Sequence, residues 1–197
     1  EADLNIADLT DANLVGTKLT GANLDRIKLN QAKLNGAQLS GARMTKAKLT
    51  QVDLTGADLS GANLTGAELN EAILEGADLS RANLTEAILT DANLKNAFLT
   101  GANLQKAHLE KVNLEGADMA GTKLRNANLQ NANLKQVDLR RADLEHADFS
   151  NAKLDSANFT GAKMSDSLFI GADLTGATMD SADTTDTQFQ GAIGFKA

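Results

Sequence analysis

The chain of 197 residues contains no cysteine, no proline, no tryptophan and no tyrosine. Without cysteine there is no disulfide, no thiolate metal site and no thiol redox chemistry, and neither an oxidising nor a reducing compartment is selected. Aromatic residues make up only 3%. That excludes a conventional globular core, in which large rings bury the most area per residue, and points to a narrow interior filled by one medium-sized side chain. Basic charge is also short. The 19 Lys and Arg against 26 Asp and Glu leave a net charge of -7, and direct binding of nucleic acid, which uses a basic footprint, is not expected. No run approaches the roughly 18 consecutive apolar residues of a membrane span, and no basic-then-apolar leader is visible.

What the chain does have is repetition. Written in fives from Glu1, it keeps one register to about Phe195 without an insertion or deletion. The fourth position is Leu, Met or Phe in 37 of 39 pentads, the exceptions being Thr184 and Gly194. The second is Ala in 31, and otherwise small or β-branched, as at Thr17, Ile27 and Val52. The third is rich in Asp and Asn, and 15 of the 16 glycines occupy the first.

A period of five excludes the usual elements. A helix turns about 100° per residue, so leucines five apart would smear around it. In a continuous strand an odd spacing would flip successive leucines between faces. A short extended piece followed by a bend fits: positions two and four point the same way, as i and i+2 do in a strand, and positions five and one turn the chain. Glycine at the first position suits a turn residue with φ > 0, and Asp11, Asp91, Asn96 and Asn131 tolerate the same conformation. Leu and Ala then face inward on a winding chain whose coils pair as parallel strands about 4.8 Å apart. No pentad can bury its own leucine, so stacking alone supplies stability.

Runs such as Ala57-Asp58-Leu59-Ser60-Gly61 and Ala62-Asn63-Leu64-Thr65-Gly66 resemble the pentapeptide-repeat family, in particular its leucine-centred tandem members common in cyanobacteria. The resemblance covers essentially the whole chain. It implies an all-β fold, a right-handed quadrilateral parallel β-helix with four pentads per coil and just under ten coils. Residues 1–197 form a single solenoid on this reading, with 181–197 as a fading C-terminal cap. Charge does not fix the coil size by itself. Opposite signs alternate at spacing twenty in Glu75, Lys95, Glu115, Lys135 and Asp155, and in Lys123, Asp143, Lys163 and Asp183, but a spacing of twenty-five scores almost as well. Phe149, Phe169 and Phe189 also repeat at twenty, with Phe159 between them. Glu1 already lies inside the pattern, so a leader or neighbouring domain ahead of it fits the sequence, as does a bare end that stacks on another chain. End-to-end or C-terminal self-association is therefore an expectation. The compartment stays open between the cytoplasm and, with a leader removed, a thylakoid lumen or periplasm.

Chemistry is sparse. His108 and His146 fall on one side about two coils apart, roughly 10 Å, too far for imidazoles that sit about 2 Å from a shared metal. Asp58 with Asp78, and Asp118 with Asp138, stack in one column, as the consensus third position requires. There is no nucleophile–His–Asp grouping and no phosphate-binding glycine loop, and neither cofactor nor metal is expected. The candidate interaction surface is one of charge. Arg26, Lys28, Lys46 and Lys48 form a basic cluster suited to an anionic partner, whereas Glu68, Glu71 and Glu86 suit a cationic one. The sequence thus describes a non-enzymatic structural scaffold or protein-interaction module with an unidentified protein partner. The alternative is an acidic, DNA-mimicking regulator of a DNA-handling enzyme such as gyrase, which some members of the family are. Leucine rather than phenylalanine at the pentad centre, and the absence of projecting loops, speak against it. Leu104→Asp should be severely destabilising, because it drives an unpaired charge into a dry column. Substitutions at outward Thr100 or Gln105 should leave the melting temperature nearly unchanged, and equal losses at all three sites would contradict the inward assignment.

Overall fold

The computed structural model describes residues 2–194. Each third-position residue pairs in parallel with the one twenty positions on, from Asp3 with Asn23 to Asp173 with Ile193. Five residues per side and a repeat of twenty make a four-sided coil, and the winding is a right-handed quadrilateral β-helix, the hand that parallel crossovers adopt. Spacing twenty-five is excluded. The third-position columns define four faces: face A from Asp3 to Asp183, face B from Asp8 to Gln188, face C from Asn13 to Ile193 and face D from Lys18 to Thr178. Face B lies opposite face D. Consecutive faces meet at edges formed by positions five and one.

From Ala22 to Leu174 every second- and fourth-position side chain is buried, each leucine contributing about 1.5–3 kcal/mol. The two buried hydroxyl residues, Thr122 and Ser167, cost little. Each donates to the carbonyl three residues back, of Met119 and Met164, so neither hydroxyl is left unpaired. Four of the six phenylalanines cluster late in the rod. Phe149 stacks on Phe169 at 4.8 Å, Phe169 on Phe189 at 5.5 Å, and Phe159 meets Phe169 edge-on at 5.7 Å. Phe159 therefore completes the cluster from the opposite wall instead of interrupting it.

The backbone hydrogen bonds explain the rest of the repeat. At each edge the second-position N–H donates to the fourth-position carbonyl of the preceding pentad, as Ala7 does to Leu4 at 3.0 Å. Positions one, three and four donate between coils, as in Ile6 to Asp25, Asn23 to Ala2 and Leu4 to Asn23. Only the fifth-position N–H lacks a backbone acceptor, and the third-position Asp or Asn supplies one two residues earlier. Asp58 Oδ1 accepts from the Ser60 N–H at 2.9 Å and its hydroxyl at 2.6 Å; Asn63 does the same for Thr65. Beside two of the basic third positions the acceptor comes from the fifth position one coil back: Asp25 serves Thr45 beside Arg43, and Asn30 serves Thr50 beside Lys48. Positions one to four spend their N–H on backbone carbonyls, so proline has no place there.

Every first-position residue from Ile6 to Gly191 has positive φ, and 23 of them are not glycine. The expectation that glycine, asparagine and aspartate carry the turn is too narrow, since Ile6, Arg26, Gln31, Lys46 and Glu71 adopt it as well. Such residues cost on the order of 1–3 kcal/mol each and persist only where their surroundings dictate the conformation. Here the inter-coil bonds on both sides of the turn do so. Toward the C-terminus the pairing and turns continue to Ile193, while cover over the interior thins. Thr184 is exposed, and Ala182 and Phe189 are half-buried. Phe195, Lys196 and Ala197, the end of the expected cap, lie outside the described residues.

Asn63→Ala should cost about 1 kcal/mol, the net worth of a lost turn acceptor, measurable by urea denaturation. Asp25→Ala should be more costly than Arg43→Ala, because Asp25 and not Arg43 serves the Thr45 N–H. Equal effects would contradict the capping role.

Candidate functional site

All seven candidate residues gather on face B and its two edges. Lys28, Lys48 and Glu68 stand in its central column, Arg26, Lys46 and Glu86 on the edge shared with face A, and Glu71 on the edge shared with face C. The sequence treats the basic and acidic groups as separate docking points. The structure corrects this: Lys48 and Glu68 are paired on adjacent coils, so the sign of the face reverses over one strand spacing of about 4.8 Å.

The seven are not equally free. Lys28 pairs with Asp8 at 3.1 Å and Glu86 with Lys106 at 3.7 Å. Glu71 ends an edge ladder in which Gln31 donates to Gln51 and Gln51 to Glu71, at 3.0 and 2.8 Å. Arg26, Lys46, Lys48 and Glu68 have no ion pair or side-chain hydrogen bond among the described residues. Arg26 and Lys46 line a shallow groove with Asn5, Ile6, Asp25, Arg43 and Thr45. Within it Arg43 and Asp25 neutralise each other at 2.5 Å, which leaves two uncompensated cations beside Ile6, 60% exposed.

The edges of face B differ from the others. Of the 23 non-glycine residues with positive φ, 17 lie on the two edges that bound it, where Gly66, Gly171 and Gly191 are the only first-position glycines. The edges bounding face D hold the other 12 of the 15. One side of the rod therefore keeps side chains on backbone that favours glycine at 17 positions, and the opposite side at six, Arg81, Asn96, Gln136, Arg141, Ser156 and Ser181.

Elsewhere charge is spent between coils. Lys95 meets Glu115 at 3.0 Å and Lys135 meets Asp155 at 3.6 Å, as the alternating column predicts. The expected Lys123–Asp143 match gives way to Arg125, which reaches Asp143 and Glu145 at 2.6 and 2.7 Å. His108 lies 3.4 Å from Glu110, and His146 lies 3.9 Å from Asp166. Each imidazole has its own carboxylate. Among the described residues no group of three His, Cys, Asp or Glu is disposed to hold a metal, and no helix is long and apolar enough to cross a membrane. Asp58 with Asp78 and Asp118 with Asp138 do stack, on face D.

The family model for pentapeptide repeats matches in eight overlapping copies, from residues 1–26 through 157–193. The chain is a pentapeptide-repeat protein. This repeat rod is similar to HetL, described as involved in heterocyst differentiation regulation in the cyanobacterium Nostoc sp. strain PCC 7120. The two share 34% identity over 98% of this chain and 89% of HetL, with a TM-score of 0.54. Rfr23 from the cyanobacterium Cyanothece 51142 is 29% identical over 56% of this chain and 58% of its own, with a TM-score of 0.35. A thylakoid-lumen pentapeptide repeat protein of Arabidopsis thaliana is 34% identical over 65% and 68%, with a TM-score of 0.26. No curated protein matches the chain significantly.

On face B of the repeat rod, the Thr10 hydroxyl above all, then the Lys28 ammonium, lowers the Asp8 carboxyl to about 2. Its unfolded value is about 3.9. This contribution is therefore fully present above pH ~4 and is lost as the pH falls through about 2. An NMR titration should find Asp8 among the most acidic carboxylates, and Thr10→Val should raise its midpoint toward the ordinary value. An ordinary midpoint in the unsubstituted chain would contradict the geometry.

Proposed function

We propose that this pentapeptide-repeat rod is a non-enzymatic protein-interaction scaffold that docks its partner on face B. The observation that carries the proposal is the concentration of strained, side-chain-bearing turns along the two edges of that face. Backbone strain concentrated along one side of the rod, 17 residues against six on the other, points to use of the side chains it displays. Arg26, Lys46 and Lys48 are exposed, close together and uncompensated, and Glu68 and Glu71 adjoin them. A partner with an acidic patch next to a basic one matches this order. The regulatory role described for HetL is consistent with action by binding.

The DNA-mimic alternative requires continuous negative charge. The basic start of face B interrupts it there, and inter-coil ion pairs such as Lys95–Glu115 interrupt it on another edge. A gyrase supercoiling assay with added protein separates the two readings, and inhibition would favour the mimic.

The triple charge reversal Arg26→Glu, Lys46→Glu, Lys48→Glu should abolish cross-linking to the partner recovered by the unsubstituted rod. Asp173→Asn, on face C, should not. Because exposed charges contribute only about 0–1 kcal/mol to stability, the triple variant should melt close to the parent. Unchanged cross-linking by the triple variant would sink the assignment of face B.

A further inference from the structure

Face D presents the opposite construction to face B. Its edges are largely bare: at Gly36, Gly56 and Gly76 on one side, and Gly41, Gly61 and Gly121 on the other, a Cβ would meet nothing within 4 Å. The turn does not demand this, since charged and even β-branched residues occupy it elsewhere. Arg81 and Asn96 are the side chains that rise beside the middle of the central column, over Gly101 and Gly116; elsewhere the glycine edges let a flat partner descend onto it, and it reads Asp58, Asp78, Phe98, Asp118, Asp138 on successive coils.

Phe98 is 52% exposed at the middle of that column. A third-position Asp or Asn there would cap the Thr100 N–H, as Asp58 and Asp78 cap Ser60 and Ser80. Phenylalanine forgoes that bond and adds nothing to the interior, so its ring is not explained by folding. The flanking carboxylates are half-engaged. Asp58, Asp78 and Asp118 each use Oδ1 on the N–H two residues on, at 2.9, 2.8 and 3.1 Å. Their Oδ2 atoms carry no hydrogen bond or ion pair among the described residues. Asp138 differs, since Arg140 bonds both its oxygens and closes the column at that end.

We propose that face D is a second docking surface, for a cationic protein segment that carries an apolar side chain between its basic residues. Charge complementarity selects the cation, and Phe98 selects the apolar group. A surface that imitated a nucleic-acid duplex would carry two rows of charge and no apolar knob. A second copy of the chain offers Ile6, Arg26 and Lys46 at the same coil spacing, and the experiment must separate that occupant from a foreign segment.

The full chain, isotopically labelled, is titrated with a blocked synthetic peptide holding one tryptophan between two pairs of arginines. Saturable amide shifts confined to residues 58–61, 78–81, 98–101 and 118–121 are expected. Phe98→Ala, or replacing the peptide's tryptophan by glycine, should weaken binding roughly tenfold, as loss of an aromatic anchor does. Asp173→Asn should change nothing, and neither should the face B charge reversal, so the two surfaces succeed or fail separately. The proposal is overturned by shifts spread over the acids of all faces, by equal weakening from Asp173→Asn and Asp78→Asn, or by no saturation up to about 1 mM, beyond which affinity is negligible. Sedimentation of the chain alone supplies the last criterion. Concentration-dependent association abolished by Phe98→Ala would give the face to a second copy and overturn the foreign-segment reading.

Discussion

The structure depends on one backbone conformation, the left-handed residue that begins every pentad. It bends the chain at each edge, and its N–H binds the coil ahead while its neighbour closes the turn. Were this residue to relax into extended conformation, the strand would run straight on. The inward leucines would then alternate between faces, and no column of apolar side chains would exist. Burial of Leu and Ala rewards the winding, but the turn makes that burial geometrically available.

Because the turn is enforced from outside, by hydrogen bonds to adjacent coils, residues with no local preference for it can occupy it. This separates two roles that most folds combine. Interior positions carry the stability and vary little in chemistry, while first and third positions are released to carry charge, amide ladders or exposed apolar groups. The asymmetry between faces B and D arises there. It is written in positions whose backbone geometry is constant, so only their side chains can account for it.

The sequence makes the five-residue bend and the inward Leu and Ala legible, because both follow from local sterics and a strict period. Coil size is not, and Arg43 and Arg125 show why. These long side chains reach Asp25 and Asp143 diagonally, eighteen residues away, so any count of charges at a fixed spacing is blurred. The service of the third position to the turn does not follow from the period, although Asp58 before Ser60 and Asn63 before Thr65 display the usual partners of such a motif. The membership of the candidate site required the coil size. Arg26 and Glu86 share an edge only because sixty residues are three whole coils. Once that is known, two clusters that look separate in the chain become a single face.

Constant coil size also restricts how such a chain can lengthen. Duplicating twenty residues would extend the rod and keep every column in phase. Duplicating a single pentad would leave turns and interior intact yet rotate everything downstream by a quarter turn, carrying the later half of face B onto its neighbour and parting ion pairs such as Lys95–Glu115. The fold is indifferent to the smaller step, but its surface pattern is not. Length variation that preserves recognition should therefore come in whole coils.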